Sequence, residues 1–258
     1  MTMKHHNMIG IGLVGVVIVG AVVWAHYRQP SKSNTPASSN TQQTNNQTTQ
    51  NTTPEFNKTL YSISEADSLW VIINKQRVLA DGYKPVDLVV PNVPLRLSAD
   101  SEQMHVRATM AKAMENLFKG ASDNNLHLML ASGFRSQAYQ TSLYNGYVAK
   151  DGQAAADRSS ARPGHSEHQT GLSFDIEPAD KRCELDQCFG TTPEGVWLSA
   201  HAHEYGFIIR YGKDQEQLTG YEYEPWHLRY VGNALAQELY TKHQTMEQFF
   251  GLPPALNY

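Results

Sequence analysis

Positive charge never gathers in this chain. Its 258 residues carry 21 Lys and Arg against 25 Asp and Glu, with no basic block of notable length. Nothing in that pattern suggests nucleic-acid binding. The acidic excess, a formal net charge of −4, is too small to define a partner. Cysteine is nearly missing: Cys183 and Cys188 stand alone, bracketing four residues. So close a pair reads either as a metal or redox pair or as a small disulfide pinning a loop. A loop this short restricts little chain entropy, so stability must come from a buried core. No internal repeat is visible, which leaves no solenoid to argue for.

Charge is also lacking from residues 8–25, a run of eighteen residues without an ionisable group. That length is just enough to cross a hydrocarbon core as a helix, with Trp24 and Tyr27 suited to the interface. Residues 1–28 therefore read as an uncleaved single-pass anchor, which the length of the run favours, or as a secretory signal cut after Ala25. No cysteine follows the run, which argues against lipoprotein processing. The flanking charges, Lys4 on one side and Arg28 and Lys32 on the other, do not orient it. Residues 29–56 are dominated by Asn, Thr, Gln and Ser with almost no large apolar side chain, so they cannot repay the entropy of ordering and read as a flexible tether. The remaining 57–258 form one domain of a size that can bury a substantial core. The expected location is the cell membrane with this domain outside the cytoplasm, or secretion if the first segment is cleaved.

Within that domain, Leu69, Ile72 and Ile73 predict a helix over 64–79. Val106, Met110, Ala113 and Leu117 predict a second. Leu126, Leu128 and Leu130 alternate as in a strand, and Ser136 can cap a helix running to about Ala149. Residues 171–176 place Leu172, Phe174 and Ile176 on one face and Ser173 and Asp175 on the other. Thr192, Pro193 and Gly206 frame another helix. Residues 207–211 and 221–230 are strand candidates, and 231–249 reads as one closing helix. Helices in two groups around a run of short strands predict an α+β fold with a small central antiparallel sheet.

The densest polar cluster runs from Pro163 to Asp175. His168 lies at the entry to a strand, and Asp175 on the strand face opposite the apolar residues; an imidazole and a carboxylate so placed suit a divalent metal. Read alone, the two fit a plain hydrogen-bonded pair equally. Downstream, His227 supplies a third possible ligand in Glu224-Pro225-Trp226-His227. Strict alternation would put Glu224 and His227 on opposite faces, but Pro225 cannot donate to a ladder and favours a bend that lets both reach one cleft. Two His and one Asp leave the fourth position of a tetrahedral zinc open for a water, whose pKa the ion lowers to about 7, and Glu224 suits the role of its base. Arg135, between a strand and a helix start, is either a surface arginine or a guanidinium able to grip a free carboxylate with two parallel hydrogen bonds. His165, His201 and His203 read as surface or packing residues, and Glu177, Asp180 and Glu184 as a solvated loop. Trp226 is a candidate for the cleft lining.

Gly133-Phe134-Arg135-Ser136, then Ser166-Glu167-His168-Gln169-Thr170-Gly171-Leu172-Ser173-Phe174-Asp175, then Glu224-Pro225-Trp226-His227 closely resemble the VanY-like D-alanyl-D-alanine carboxypeptidases. These belong to a wider group with lysostaphin-type and Hedgehog-type zinc domains, and the likeness spans about Leu60 to Phe250. The resemblance implies Zn2+ held by His168, Asp175 and His227, Glu224 as catalytic base, and Arg135 as the contact for the substrate carboxylate. It further implies Ser166 and Gln140 on the substrate side. Ser173 departs from the family's usual alanine, small for small. The implied activity is hydrolysis of the C-terminal D-amino acid of peptidoglycan stem peptides, with D,D- and L,D-specificity both open. An endopeptidase with the same metal chemistry and a non-catalytic zinc-stabilised wall-binding module are the other readings.

Overall fold

A computed structural model describes residues 55–258. The expected anchor over 8–25 and nearly all of the tether over 29–56 lie outside the described residues. Among those described, no helix is long and apolar enough to cross a membrane.

In chain order the elements are β1 (Leu88–Val89), β2 (Val106–Arg107), α1 (Ala108–Asp123), β3 (Leu128–Ser132), α2 (Gln137–Asp151), α3 (Gln153–Ser159), β4 (Ser173–Pro178), α4 (Pro193–His201), β5 (Phe207–Tyr211), α5 (Glu216–Thr219), β6 (Glu224–Tyr230), α6 (Asn233–Lys242) and α7 (Met246–Phe249). Strands β3, β4, β6 and β5 form one sheet in that order, every neighbouring pair antiparallel. A small ribbon of β1 and β2 lies apart. The α+β expectation holds.

The sheet has two unlike faces because its strands alternate. Leu172, Phe174, Ile176, Phe207 and Leu228 pack with Met110, Met114 and Leu117 of α1 into the main core. At about 25 cal/mol per Å² of apolar surface removed from water, such fully buried side chains supply the main drive for folding. The other face carries Asp175 and His227, which stand opposite each other as registered partners on the two central strands.

Two predicted helices form differently. Residues 64–79 contain turns and a short Asn74–Arg77 bridge rather than a helix. The spacing of Leu69, Ile72 and Ile73 fits a helical face, yet four consecutive residues are buried. Val71 and Ile73 enter the main core, while Trp70 and Ile72 enter a second one with Leu235, Leu239, Met246 and Phe249. Only an extended segment can send successive side chains to opposite sides. The closing segment 231–249 is two helices. His243 takes a left-handed backbone (φ 52°) that ends α6, and Thr245 with Gln248 forms a capping box that starts α7. Elsewhere the local signals hold: the Ser136 side chain accepts from Tyr139 N at the head of α2, and Thr192 caps α4. Gly206, at φ 85°, stops the short 3₁₀ turn Ala202–Tyr205 that extends α4.

Candidate active site

Asp175 and His227 are cross-strand neighbours, so β4 and β6 alone bring two ligand types together. His168 arrives from the 3₁₀ turn Glu167–Thr170, which ends at Gly171 (φ 65°) immediately before β4. A side chain at Gly171 would press on Arg107 and Leu88. Opposite, the backbone of Gly133 passes so close to the His105 carbonyl that a Cβ would collide with it. That close passage sets the Gly133 carbonyl 2.6 Å from His168 Nδ1, which donates to it. The tautomer follows: with the proton on Nδ1, the Nε2 lone pair is free.

The free atoms converge. His168 Nε2 lies 3.3 Å from Asp175 Oδ1, and His227 Nδ1 lies 3.2 Å from the same oxygen. All three ligand atoms fall within 4.8 Å of one another. The edges of a tetrahedral zinc site with 2.0–2.1 Å bonds measure about 3.4 Å, so this spacing suits zinc. His168 Nε2 and Asp175 Oδ1 are buried without a hydrogen-bond partner. Unmet polar atoms of this kind cost about 1–3 kcal/mol each, and a shared cation would satisfy them together.

Glu224 stands 3.7 Å from His227 Nδ1 by its Oε2. They share a side because β6 bulges between them. Ile209 pairs with Leu228, but Tyr211 pairs with Glu224, so the three β6 residues Pro225, Trp226 and His227 span the interval that Arg210 alone spans on β5. The bend expected from Pro225 is therefore present, and its reason is the proline's missing N–H.

Burial tunes these groups. It pushes the Glu224 carboxyl up to about 8, with the Asp175 charge adding and His227 and Arg135 opposing. Burial, seconded by Arg135, lowers His168 to about 4. For His227 burial also opposes protonation, but the carboxylates of Asp175 and Glu167 outweigh it and raise the ring to about 9. Asp175 is held well below the usual carboxylate range: burial works against this, and His168, His227 and Arg135 overcome it.

These residues line a cleft of about 490 Å³ that also contains Arg135, Gln140, Ser166 and Trp226. Arg135 follows β3. Its Nη2 is 3.5 Å from Asp175 Oδ2, and its Nε is buried without a partner. It is thus not a surface residue. Gln140 uses Nε2 on Ala161 O (2.7 Å) and Ser160 Oγ (3.3 Å), leaving its Oε1 unpaired. Ser166 is buried at the cleft wall. All seven residues singled out from the sequence meet in one cleft.

Other expectations resolve separately. Cys183 and Cys188 form a disulfide. Glu177 is not in a solvated loop: it lies on β4, fully buried, and accepts from Arg96 Nη1 at 3.2 Å. The strand runs three residues past Asp175, to Pro178, before the loop begins, and so takes in Glu177. His165 Nδ1 contacts Asn74 O at 2.8 Å and His203 stacks on Tyr240, both packing roles.

Sequence reasoning missed a set of buried charges behind His227. Glu167 Oε2 is 3.9 Å from His227 Nε2, and its Oε1 accepts from Arg210 Nε (2.9 Å) and Arg229 Nη1 (3.0 Å). Arg210 also forms a two-pronged pair with Glu247, at 2.6 and 3.0 Å. Burial alone would raise Glu167, but the two guanidinium groups hold it well below its ordinary value. Its place between Ser166 and His168 was the only available signal, and that position says nothing about which ring it faces.

The family named VanY, D-alanyl-D-alanine carboxypeptidase, matches residues 103–233. YodJ of Bacillus subtilis, a protein named as a carboxypeptidase, is 38% identical over 191 residues, covering 74% of this chain and 70% of its own. Among solved structures, the LdcB LD-carboxypeptidase superposes with a TM-score of 0.69 at 38% identity, covering 72% of this chain and 87% of that one. A VanY D,D-pentapeptidase from the VanB-type resistance cassette, solved with Zn(II), gives 0.59 at 28% identity, covering 72% and 99%. From its three motifs, its metal-suited cluster and these likenesses, the chain belongs to the VanY family of D-alanyl-D-alanine carboxypeptidases and is a metallocarboxypeptidase whose cofactor is zinc.

Proposed function

We propose that the protein removes the C-terminal D-amino acid from peptidoglycan stem peptides, as a D,D- or L,D-carboxypeptidase, with His168, Asp175 and His227 holding the zinc. The observation that carries this reading is the company Arg135 keeps: a guanidinium with a buried, unpaired Nε, beside three converging ligand atoms, inside one cleft. An endopeptidase has no use for such a carboxylate clamp. Relatives of both specificities, the LD-carboxypeptidase LdcB and the D,D-pentapeptidase VanY, support the substrate class.

Zinc, when bound, acts as a Lewis acid on the scissile carbonyl and makes water more acidic. The residues do the rest. Arg135 binds and orients the terminal carboxylate. Glu224, whose buried carboxyl is a stronger base than an exposed one, takes a proton from the attacking water and returns it to the leaving amine. The Nδ1 proton of His168 stays hydrogen-bonded to the Gly133 carbonyl, keeping the ring in its ligand tautomer. We propose further that residues 8–25 anchor the enzyme with this domain outside the cytoplasm; the Cys183–Cys188 disulfide supports that side of the membrane.

Mass spectrometry of defined tetra- and pentapeptide stems incubated with the zinc-loaded domain tests the activity. Release of one terminal residue, abolished by a chelator and slowed severely when the C-terminus is an amide, is the expected result. Glu224→Gln should keep its zinc and lose about 10²–10⁴ in kcat. Equal rates on acid and amide would favour an endopeptidase, and unchanged turnover in the variant would remove Glu224 from the mechanism.

A further inference from the structure

The disulfide-closed loop has a position that the chemistry above does not use. Along β4 the side chains facing the cleft side are Ser173, Asp175 and Glu177, by alternation. Asp175 sits in the metal cluster. One step further along, Glu177 binds Arg96, and the same guanidinium reaches Glu184 of the Cys183–Cys188 loop. Next to Glu184 in this relay, Leu185 lines the wall of the same cleft.

The loop is fixed from several directions. The disulfide closes it, Arg182 donates to buried Glu194 at 2.7 Å, and Asp186 Oδ1 accepts from Cys188 N at 2.8 Å. Cys183 packs on the main core. Within this frame, Lys181, Cys183 and Leu185 adopt φ values of 60°, 54° and 46°. Left-handed backbone is unfavourable for side chains larger than Gly or Asn and persists only where the surroundings enforce it. Leu185 joins neither core and remains 36% exposed. A branched apolar side chain is thus held on unfavourable backbone at a cleft wall, outside both cores and partly open to solvent.

We propose that the Cys183–Cys188 loop is a specificity wall. Leu185 packs against the substrate residues on the amino side of the scissile bond, and the disulfide holds it in place. The inference rests on the carboxypeptidase reading: a peptide whose carboxylate is gripped by Arg135 must continue along the cleft, whose lining includes Arg96, Leu97 and Leu185. The loop then distinguishes long stem peptides from short ones and makes that preference depend on the redox state of one bond.

The test compares an N-acetylated dipeptide ending in D-alanine with a full stem peptide of the same terminus, on the zinc-loaded protein. Leu185→Ala should raise KM for the long substrate by about five- to tenfold, the scale of one lost leucine contact, and leave the short substrate within about twofold. Zinc content should not change. Reduction with a phosphine, or the Cys183→Ala/Cys188→Ala pair, should act in the same direction; if that pair does not fold, Leu185→Ala decides alone. An equal fall on both substrates, or no change on either, overturns the proposal. If the unaltered protein hydrolyses neither peptide, the carboxypeptidase reading fails by itself. The wall is then decided by calorimetric binding of the long peptide: weaker binding by Leu185→Ala supports it, and equal binding or none overturns it.

Discussion

Two groups of buried ionisable side chains adjoin in this protein, and they differ in how fully their hydrogen bonds are met. In the first, every guanidinium nitrogen of Arg210 and Arg229 has a partner among Glu167, Glu247 and the carbonyls of Leu69, Val71 and Tyr230. Two positive charges face two negative ones, and water is excluded. In the second, His168 Nε2 and Asp175 Oδ1 have no partner although both are buried. Protein interiors rarely leave such atoms unmet, so the incomplete cluster is the one built for something brought from outside. The arginine cluster, in which only Glu167 Oε2 on the side of His227 lacks a partner, is scaffold. Glu167 belongs to both: Oε1 is committed to the arginines, while Oε2 faces the outer nitrogen of His227.

The comparison can be broken at each cluster. The largest effect is expected at the scaffold: Arg210→Ala strands Glu247 as an uncompensated buried charge, leaves Glu167 with Arg229 alone, and should cost about 3–5 kcal/mol in denaturant unfolding. A loss below about 1 kcal/mol would mean that water enters and the network is not closed. At the junction, Glu167→Gln removes the carboxylate charge facing His227 Nε2 and should lower zinc affinity about 10–100-fold in a chelator competition. Unchanged affinity would assign Glu167 wholly to the scaffold. The smallest effect concerns the incomplete cluster without its ion. The folded-state pKa of Glu224, about 8, lies above its ordinary 4.5, so the group favours folding at low pH, and this is lost as pH rises through the folded value. Glu224→Gln should therefore raise the unfolding temperature of chelated protein by about 2–4 °C at pH 9 and change little at pH 4. The opposite order would show that the carboxylate is already compensated.

Much of the site was legible because its residues fall in short contiguous motifs. Alternation through Leu172, Phe174 and Ile176 put Asp175 on the open face, and the missing N–H of Pro225 foretold the bulge that turns Glu224 toward His227. Helix ends were legible at Ser136, Thr192 and Gly206, where one side chain or one glycine decides the geometry. Residues 64–79 failed for a long-range reason. Their spacing fits a helix, but Trp70 and Ile72 serve one core while Val71 and Ile73 serve another, and no local pattern records that a segment runs between two cores.

What the sequence determined by itself was the chemistry available: two imidazoles, two carboxylates and a guanidinium, on segments whose period and punctuation fix local direction. What only the tertiary structure decided was which atoms meet. The register of β4 against β6 sets Asp175 opposite His227, the Gly133 carbonyl chooses the tautomer of His168, and Glu167 finds Arg210 and Arg229 from 43 and 62 residues away. Local preference acts over a few residues along the chain, whereas these contacts are set by packing between distant segments, which no short stretch of sequence encodes.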